Sequence, residues 1–259
     1  MDVFDREEET LEDLGRSGLK LIQRKDGFRF GEDTVLLSWF VAENLRFRKK
    51  DPMRVLELGT NCGAASVLLA GRRKDVRIDG VERQKEAQAV FERNIKLNSL
   101  SDRVRGFCLD LRDLPSEDVK YNSYDAVFMN PPFRSLSSGP VTSEEIHSQA
   151  LKEARFAVHG DVGDFLSCAA KMLSSQGDIF LVDRAETFSS VMDHCLRLSL
   201  VPKRITFVHP YIDREATLFL LMCKKGGKKA GTVITPPLIL RGQDREYTPE
   251  LRKIYFEEE

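Results

Sequence analysis

Short apolar runs alternate with segments of helical spacing along most of the chain, beginning at about residue 53. A run of four to eight apolar residues favours a buried strand, whereas apolar residues that recur every three or four positions favour a helix. This pattern predicts the strands Arg54–Leu58, Val76–Glu82, Val104–Leu109, Tyr124–Met129 and Asp178–Val182, and the helices Ala64–Gly71, Gln84–Asn98, Asp161–Leu173 and Thr187–Leu198.

Two further extended segments, Arg204–His209 and Ala216–Cys223, close the pattern and are separated by a short polar turn. Such close, helix-free spacing predicts an antiparallel hairpin. The earlier strand–helix units predict a parallel sheet with helices on both faces, because parallel connections cross over the sheet. The sequence therefore predicts an α/β, Rossmann-like fold whose mostly parallel, seven-stranded sheet ends in an antiparallel hairpin.

The central part of the chain has no linker rich in Pro, Gly or Ser and no internal repeat between Arg54 and Cys223. We therefore predict one domain over residues 46–225. It is preceded by a leader, residues 1–45, and followed by a basic tail, residues 226–259, that packs on the domain.

Composition sets limits on location and on metal chemistry. The 259 residues carry 40 basic and 41 acidic side chains, a formal net charge of −1 that is ordinary for a globular protein. No apolar run approaches the roughly 20 residues that span a bilayer, and the acidic N-terminus is no secretory signal. The five cysteines are far apart, which argues against a zinc site and a disulfide framework. We expect reduced thiols, no metal, no membrane association and a cytoplasmic location.

The near-zero net charge hides an uneven distribution. Residues 203–231 carry seven bases against two acids. Four of these bases form what we call the lysine cluster, Lys224, Lys225, Lys228 and Lys229. A charge run is usually a solvated face, but several clusters on one surface would attract a polyanion. The lysine cluster is thus a candidate for binding a polyanionic substrate, with a solvated face as the alternative.

A glycine-containing turn, Glu57-Leu58-Gly59-Thr60-Asn61-Cys62-Gly63, joins the first predicted strand to the first predicted helix. Ligands of open α/β sheets bind outside the carboxyl ends of the strands. Gly59 and Gly63 would let a ligand approach the backbone, and the helix N-terminus supplies unpaired N–H groups. Asn61 stands where a Gly-x-Gly-x-Gly turn has glycine, and asparagine tolerates the left-handed conformation better than most residues. A plain strand–helix turn is the competing interpretation.

Acidic side chains end the next two strands. Glu82 follows the glycine turn by about 20 residues, the position at which a nucleotide-binding fold hydrogen-bonds ribose hydroxyls. Asp110 follows the third strand, where a carboxylate can accept from the amino group of a cofactor adenine. Each acid alone could be an exposed strand end. Together with Glu57 they predict a cofactor that contains a nucleoside. An enzyme that uses a nicotinamide cofactor could have the same turn and the same ribose-binding acid.

The fourth strand runs into a rigid elbow, Asn130-Pro131-Pro132-Phe133. The two prolines fix the backbone and remove two N–H donors, so that nearby carbonyls face outward. The amine of adenine is a poor nucleophile because its lone pair is delocalised into the ring. Acceptors on both N–H bonds, the Asn130 side chain and the Pro131 carbonyl, would direct that lone pair at an electrophilic methyl group. Phe133 would stack on the base, which contributes about 1–3 kcal/mol; a simple chain turn is the alternative.

In this order, the glycine turn, the two acids and the elbow resemble the class I amino-methyltransferases, which use S-adenosylmethionine. The leader around Phe28–Leu37 and the late segments Val208–Ala216, Pro236–Ile239 and Glu246–Glu250 are similar to the bacterial tRNA1(Val) adenine-N6-methyltransferase family. This resemblance covers about Leu19 to Glu250. It implies that RNA is the substrate and that the target is the adenine beside the anticodon of a valine tRNA.

The resemblance also implies which residues form the site, with the leader packing over the cofactor. The expected S-adenosylmethionine-binding residues are Phe30, Asp33, Glu57, Gly59, Asn61, Gly63, Glu82, Arg83, Asp110, Leu111 and Asn130. The expected catalytic residues are Asn130, Pro131, Pro132 and Phe133. We expect Phe133 and the lysine cluster to contact RNA. Two departures from the family pattern concern the identity of the substrate: Asn61 replaces a glycine, and residues 154–159 lack an Arg-His-Glu triplet.

Three other functions remain open. An adenine in rRNA would suit the same elbow, and so would the amide of a protein glutamine. The enzymes that methylate protein glutamine have an elbow that resembles Asn-Pro-Pro-Tyr. They also carry a helical N-terminal domain, which residues 1–45 are too short to supply. The third is an RNA-binding module without turnover. A loop adenine suits the elbow best, because a base inside a duplex must first be flipped out at a cost of a few kcal/mol.

Overall fold

The computed structural model describes residues 4–27, 29–47, 51–132 and 161–256. The strands are β1 (Glu9–Asp13), β2 (Lys20–Arg24), β3 (Met53–Leu58), β4 (Val76–Glu82), β5 (Val104–Cys108), β6 (Tyr124–Met129), β7 (Leu173–Arg184), β8 (Leu200–His209), β9 (Leu218–Lys225), β10 (Val233–Ile234) and β11 (Leu238–Ile239). The helices are α1 (Glu32–Asn44), α2 (Ala64–Arg72), α3 (Lys85–Leu97), α4 (Val162–Met172), α5 (Phe188–Arg197) and α6 (Pro249–Tyr255). All the predicted strands and helices are present.

The main sheet has the strand order β10-β8-β9-β7-β6-β3-β4-β5, with β11 also paired to β8. Its strands β5, β4, β3, β6 and β7 are parallel, and β9 lies antiparallel between β7 and β8. The predicted fold class and terminal hairpin are therefore confirmed. The sheet has nine strands instead of seven, because two short strands of the tail, β10 and β11, pair with β8 in parallel.

The order of the strands reverses at β3, which creates a crevice at one edge of the sheet. From β3 the chain proceeds to β4 and β5 on one side, then returns to β6 and β7 on the other. All these parallel strands end at the same edge, here called the carboxyl edge, and begin at the opposite amino edge. The glycine turn follows β3 and Asn130 follows β6. The crevice at the switch point, where such folds bind ligands, thus lies between these two segments.

Two buried clusters of apolar side chains cover the faces of the sheet, one with α1, α2 and α3 and the other with α4 and α5. The first cluster also contains Leu21 and Ile22 of the leader and Leu251 and Ile254 of the tail. Full burial of such a side chain contributes about 1.5–3 kcal/mol. The leader and the tail therefore share a core with the central part of the chain, while the domain boundaries stay predictions.

The leader forms an antiparallel hairpin, β1–β2, that the sequence pattern did not predict. Its acidic strand turns Glu9 inward, where both carboxylate oxygens accept from the guanidinium of Arg93 on α3. Those hydrogen bonds lower the pKa of Glu9. Asn94 adds a two-way contact to β2, because its side chain accepts from the N–H of Ile22 at 2.7 Å and donates to the Ile22 carbonyl at 2.8 Å. An acidic strand can therefore lie against the core when its inward carboxylate is paired with a cationic side chain.

Helix α4 begins where the sequence predicts, because Asp161 and Asp164 form a reciprocal capping box. The strand that follows begins earlier than predicted. Leu173 already pairs with Tyr124, and the register of β7 then shifts before Asp178. Gln176 in this irregular stretch adopts a left-handed φ of 63°. Gly177, which precedes the predicted start of the strand at Asp178, thus lies within β7.

Candidate active site

The glycine turn after β3 alternates in backbone handedness. Gly59, Asn61 and Gly63 have φ values of 73°, 50° and 82°. A Cβ atom at Gly63 would lie 1.9 Å from Cδ2 of Phe91, so only glycine fits there. Asn61 takes the left-handed conformation expected of it, and its side-chain oxygen accepts from the N–H of Cys62 at 2.7 Å. The turn therefore keeps its shape without a glycine at its middle position.

Glu82 at the end of β4 is buried and held by two backbone donors. Its Oε2 accepts from the N–H of Asn61 at 2.9 Å, and its Oε1 accepts from the N–H of Gln84 at 2.8 Å. A carboxylate oxygen can accept two hydrogen bonds, so each still has capacity for a hydroxyl donor. This arrangement fixes the carboxylate against the glycine turn, as a ribose-binding acid requires.

Glu57 lies beneath the same turn and is buried in the core of the site. Its Oε2 accepts from the hydroxyl of Ser66, in the first turn of α2. Burial raises the pKa of Glu57 to about 8, although the Ser66 hydrogen bond acts in the opposite direction. A cation such as the ammonium group of S-adenosylmethionine would stabilise the ionised form. The sequence did not identify Ser66, a polar residue among the apolar positions of α2.

Asp110, after β5, forms hydrogen bonds and ion pairs with arginine side chains. Its two oxygens accept from the backbone N–H, Nε and Nη2 of Arg112, and Arg83 Nη1 lies 3.5 Å from Oδ2. The Arg112 hydrogen bonds lower the pKa of Asp110 to about 2. Leu111 packs beside the second apolar cluster. A cofactor adenine at this strand end would therefore share Asp110 with two guanidinium groups.

Asn130 is joined to the leader by a contact across 97 positions of sequence. Its Nδ2 donates to Oδ2 of Asp33 at 2.9 Å, while the N–H of Thr34 holds the other Asp33 oxygen at 2.8 Å. An ionised carboxylate can only accept, so this contact fixes which side of the Asn130 amide carries nitrogen. The Asn130 oxygen is then turned away from Asp33. It is buried and has no hydrogen-bond partner among the described residues.

The residues around Asn130 complete the described part of the elbow. Pro131 is buried and Pro132 is exposed, while Phe30 is half-buried and packs on the first apolar cluster. A buried acceptor without a partner is rare, and it fits a ligand that carries an N–H donor. The turn, the acids and Asn130 together match the hydroxyl, ammonium and amine groups that S-adenosylmethionine and a target amine would present. Phe133 and residues 154–159 lie outside the described residues.

The structure does not bring the lysine cluster to this crevice. β9 runs antiparallel to β7, so Lys224 and Lys225 at its end lie at the amino edge. Lys224 Nζ lies 2.9 Å from Oδ1 of the fully buried Asp178, and Lys225 Nζ donates to the Leu173 carbonyl at 2.8 Å. Lys228 and Lys229 are exposed and follow shortly after β9. These four residues therefore lie at the opposite edge of the sheet from Asn130.

The cysteines are free thiols, four of them buried. Within the residues that the structure describes, no group of three or more His, Cys, Asp or Glu side chains could hold a metal ion. None of the described helices is long and apolar enough to cross a membrane.

Comparisons with known proteins show which family the chain matches and which relatives it resembles. The family model of the methyltransferase small domain matches residues 35–200. A tRNA1(Val) (adenine(37)-N6)-methyltransferase from Shigella dysenteriae is 24% identical over 244 residues, which cover 88% of this chain and 92% of that protein. A relative of the same description from Parabacteroides distasonis is 28% identical over 202 residues, covering 76% of this chain and 77% of that protein.

Solved structures show the same fold. A predicted O-methyltransferase from Agrobacterium tumefaciens superposes with a TM-score of 0.66 at 20% identity, covering 86% of this chain and 95% of that one. P. horikoshii TYW2, solved in complex with MeSAdo, has a TM-score of 0.55 at 14% identity, covering 86% and 74%. The fold and site define a Rossmann-like, S-adenosylmethionine-dependent methyltransferase. The chain belongs to the methyltransferase small domain family.

Proposed function

We propose that the chain transfers a methyl group from S-adenosylmethionine to the exocyclic N6 amine of an adenine in RNA. The proposed target is an adenine in the anticodon loop of a tRNA, with valine tRNA as the first candidate. The observation that carries the proposal is the Asn130 amide: its nitrogen binds Asp33, and its buried oxygen has no hydrogen-bond partner among the described residues. An amine with two N–H bonds is the kind of group that this acceptor and the neighbouring Pro131 carbonyl would bind.

The chemistry follows from positioning. S-adenosylmethionine supplies a methyl group made electrophilic by its sulfonium. Asn130 Oδ1 and the Pro131 carbonyl would each accept one N–H of the amine, which draws the nitrogen toward a tetrahedral form and frees its lone pair. Transfer of the methyl group would leave the cofactor sulfur as a neutral thioether, and the surplus amine proton would pass to solvent. Because the methylated nitrogen is positively charged and acidic at that point, the site needs no strong base.

The described acids would hold the cofactor around the glycine turn. Glu82 would accept from ribose hydroxyls, since each of its oxygens accepts one backbone N–H and has capacity left for another donor. Glu57, raised in pKa by burial, would gain from a cationic amino group. Gly59 and Gly63 would keep the turn in its left-handed conformation beside the cofactor, while Phe91 fills the space next to Gly63. Phe30, Arg83, Asp110 and Leu111 are proposed to complete this binding site.

The RNA substrate is supported by the relatives and by the elbow. The curated relatives at 24–28% identity are described as acting on tRNA1(Val) adenine 37. Phe133 would supply a stacking face for an unpaired base, and RNA is read in this way mostly in loops and other single-stranded segments. A tRNA substrate would also place the enzyme in the cytoplasm.

One experiment tests the proposal. The protein is incubated with methyl-labelled S-adenosylmethionine and total bacterial tRNA, and the tRNA is digested for mass spectrometry. We expect labelled N6-methyladenosine that maps to an anticodon loop. Label on a protein glutamine, or on another nucleoside, would overturn the proposal. Label confined to rRNA adenine in a parallel incubation would retain the chemistry and overturn the tRNA target.

A further inference from the structure

A second polar site lies at the carboxyl edge, beside the crevice of Asn130. It is an open groove of about 540 Å³ between the turn after β8 and the tail segment that follows β11. β8 is parallel to β7, because both are antiparallel to β9, and so its end at His209 reaches the carboxyl edge. The late segments that resemble the tRNA methyltransferase family meet here, although the methyl-transfer chemistry assigns them no role.

The walls of the groove are fixed by backbone hydrogen bonds. The N–H of Leu240 donates to the His209 carbonyl at 2.9 Å, and the N–H of Arg241 donates to the Pro210 carbonyl at 3.1 Å. A tight loop then closes the far wall, where the N–H of Gly242 donates to the Glu246 carbonyl at 2.9 Å. The groove is thus a built feature of the fold.

The lining of the groove is cationic. Arg214, Arg241 and Arg245 line it against a single acid, Asp213, and Tyr211 adds an aromatic face. Arg214 and Arg245 are exposed, and no hydrogen bond or ion pair to another described residue engages their guanidinium groups. Guanidinium groups bind phosphate oxygens in a bidentate manner and are weakly hydrated, which suits them to nucleic-acid backbones. The lining therefore complements a chain of phosphates better than an acidic side chain or an apolar partner.

Arg241 connects the groove to the catalytic elbow. Its guanidinium stacks on the Tyr247 ring at 4.6 Å and lies 2.8 Å from Oε1 of Glu32. Glu32 immediately precedes Asp33, the residue that holds the Asn130 amide. Only two side chains and one peptide link therefore separate the groove wall from the site of the target amine. A strand whose base enters the elbow would pass within reach of the groove.

We propose that this arginine groove, formed by Tyr211, Arg214, Arg241 and Arg245, binds the sugar–phosphate backbone of the RNA beside the methylated adenine. The inference rests on the proposed function for the identity of the polyanion. Arg214 and Arg245 supply phosphate contacts, Arg241 fixes the wall against α1, and Tyr211 offers a face for a flanking base. The lysine cluster lies at the opposite edge of the sheet and is not part of this groove.

The test compares two double charge reversals at opposite edges of the sheet. Arg214→Glu with Arg245→Glu alters the groove, and Lys228→Glu with Lys229→Glu is the matched control on exposed lysines. Binding of fluorescently labelled bacterial tRNA is measured by anisotropy at several salt concentrations. We expect the groove variant to bind at least tenfold more weakly, and the control to stay within twofold of wild type. The slope of log affinity against log salt should fall by about one to two for the lost phosphate contacts.

Affinity for S-adenosylmethionine should be unchanged in both variants. If charge reversal disturbs folding, Arg214→Gln with Arg245→Gln should give the same ranking with a smaller loss. Equal losses in groove and control variants, or an unchanged groove variant, would overturn the inference. Because binding is measured without turnover, the ranking is independent of methyl transfer. A wild-type enzyme that binds tRNA through the groove but methylates no adenine would overturn the proposed function alone.

Discussion

The two edges of the sheet use their polar groups in opposite ways. At the carboxyl edge, Asp33 binds the nitrogen of the Asn130 amide, and the buried amide oxygen has no hydrogen-bond partner within the described part of the chain. At the amino edge, Lys224 and Lys225 are engaged by internal partners. A run of charges in a sequence thus shows that charged side chains are present. Whether they can bind a ligand depends on whether the fold already pairs them with other protein groups.

The largest effect on stability is expected from Lys224. The Lys224→Glu substitution would place a carboxylate beside Asp178, whose side chain is fully buried and pairs with Lys224 at 2.9 Å. Removing one partner of a buried ion pair costs about 3–5 kcal/mol. Urea unfolding should therefore show a loss of this size, with little change for Lys228→Glu. Equal stability of the two variants would show that the Lys224 contact contributes nothing to the fold.

At the carboxyl edge, the sharpest substitution that spares the reacting groups is at Asp33. Asp33→Ala would free the Asn130 amide to rotate, and misplacement of a catalytic group by about 1 Å can cost 100-fold in rate. We expect kcat to fall about 10- to 100-fold, a range bounded by that loss, with little change in affinity for S-adenosylmethionine. Asp33→Asn keeps an acceptor and should lose less. A weaker cofactor affinity with unchanged kcat would instead favour the direct cofactor contact expected from sequence.

Much of the fold could be predicted because buried parallel strands are continuous apolar runs, as in Tyr124–Met129. The leader hairpin could not, since the acidic β1 gives no apolar alternation and its inward Glu9 depends on Arg93, 84 positions away. Helix α1 was equally hidden, because Thr34–Ser38 is buried without interruption. Its buried residues lie around the helix, so no single apolar face stands out in the sequence.

Some parts of the candidate site could also be predicted from the sequence, and others could not. The strand-end acids and the elbow were predictable because each directly follows a strand that the pattern reveals. The Asp33–Asn130 contact and the pairing of Asp110 with Arg112 depend on side-chain direction, which no spacing rule gives. The internal partners of Lys224 and Lys225 were equally hidden, since they lie far away in sequence.

A more gradual effect concerns the pH dependence of stability. Burial raises the pKa of Glu57 to about 8, so the folded protein holds a proton that the unfolded chain releases above about pH 4.5. Stability should therefore fall as pH rises between these values, by about 1 kcal/mol per pH unit or less. Glu57→Gln keeps an acceptor for Ser66 and removes the titration, so its stability should vary less with pH. Parallel pH profiles of the two proteins would show that Glu57 is not protonated in the fold.

The central claim is that Asp33 acts through Asn130 to form the amine site. A double-mutant cycle of Asn130→Ala and Asp33→Ala, measured by single-turnover methyl transfer to bacterial tRNA, tests it most directly. We expect Asn130→Ala to lower the rate by about 100- to 1,000-fold, comparable to loss of an oxyanion-hole donor, while retaining cofactor binding. Asp33→Ala should then cause no further loss in the Asn130→Ala background. Independent, multiplicative losses, or near-normal turnover by Asn130→Ala, would contradict the account.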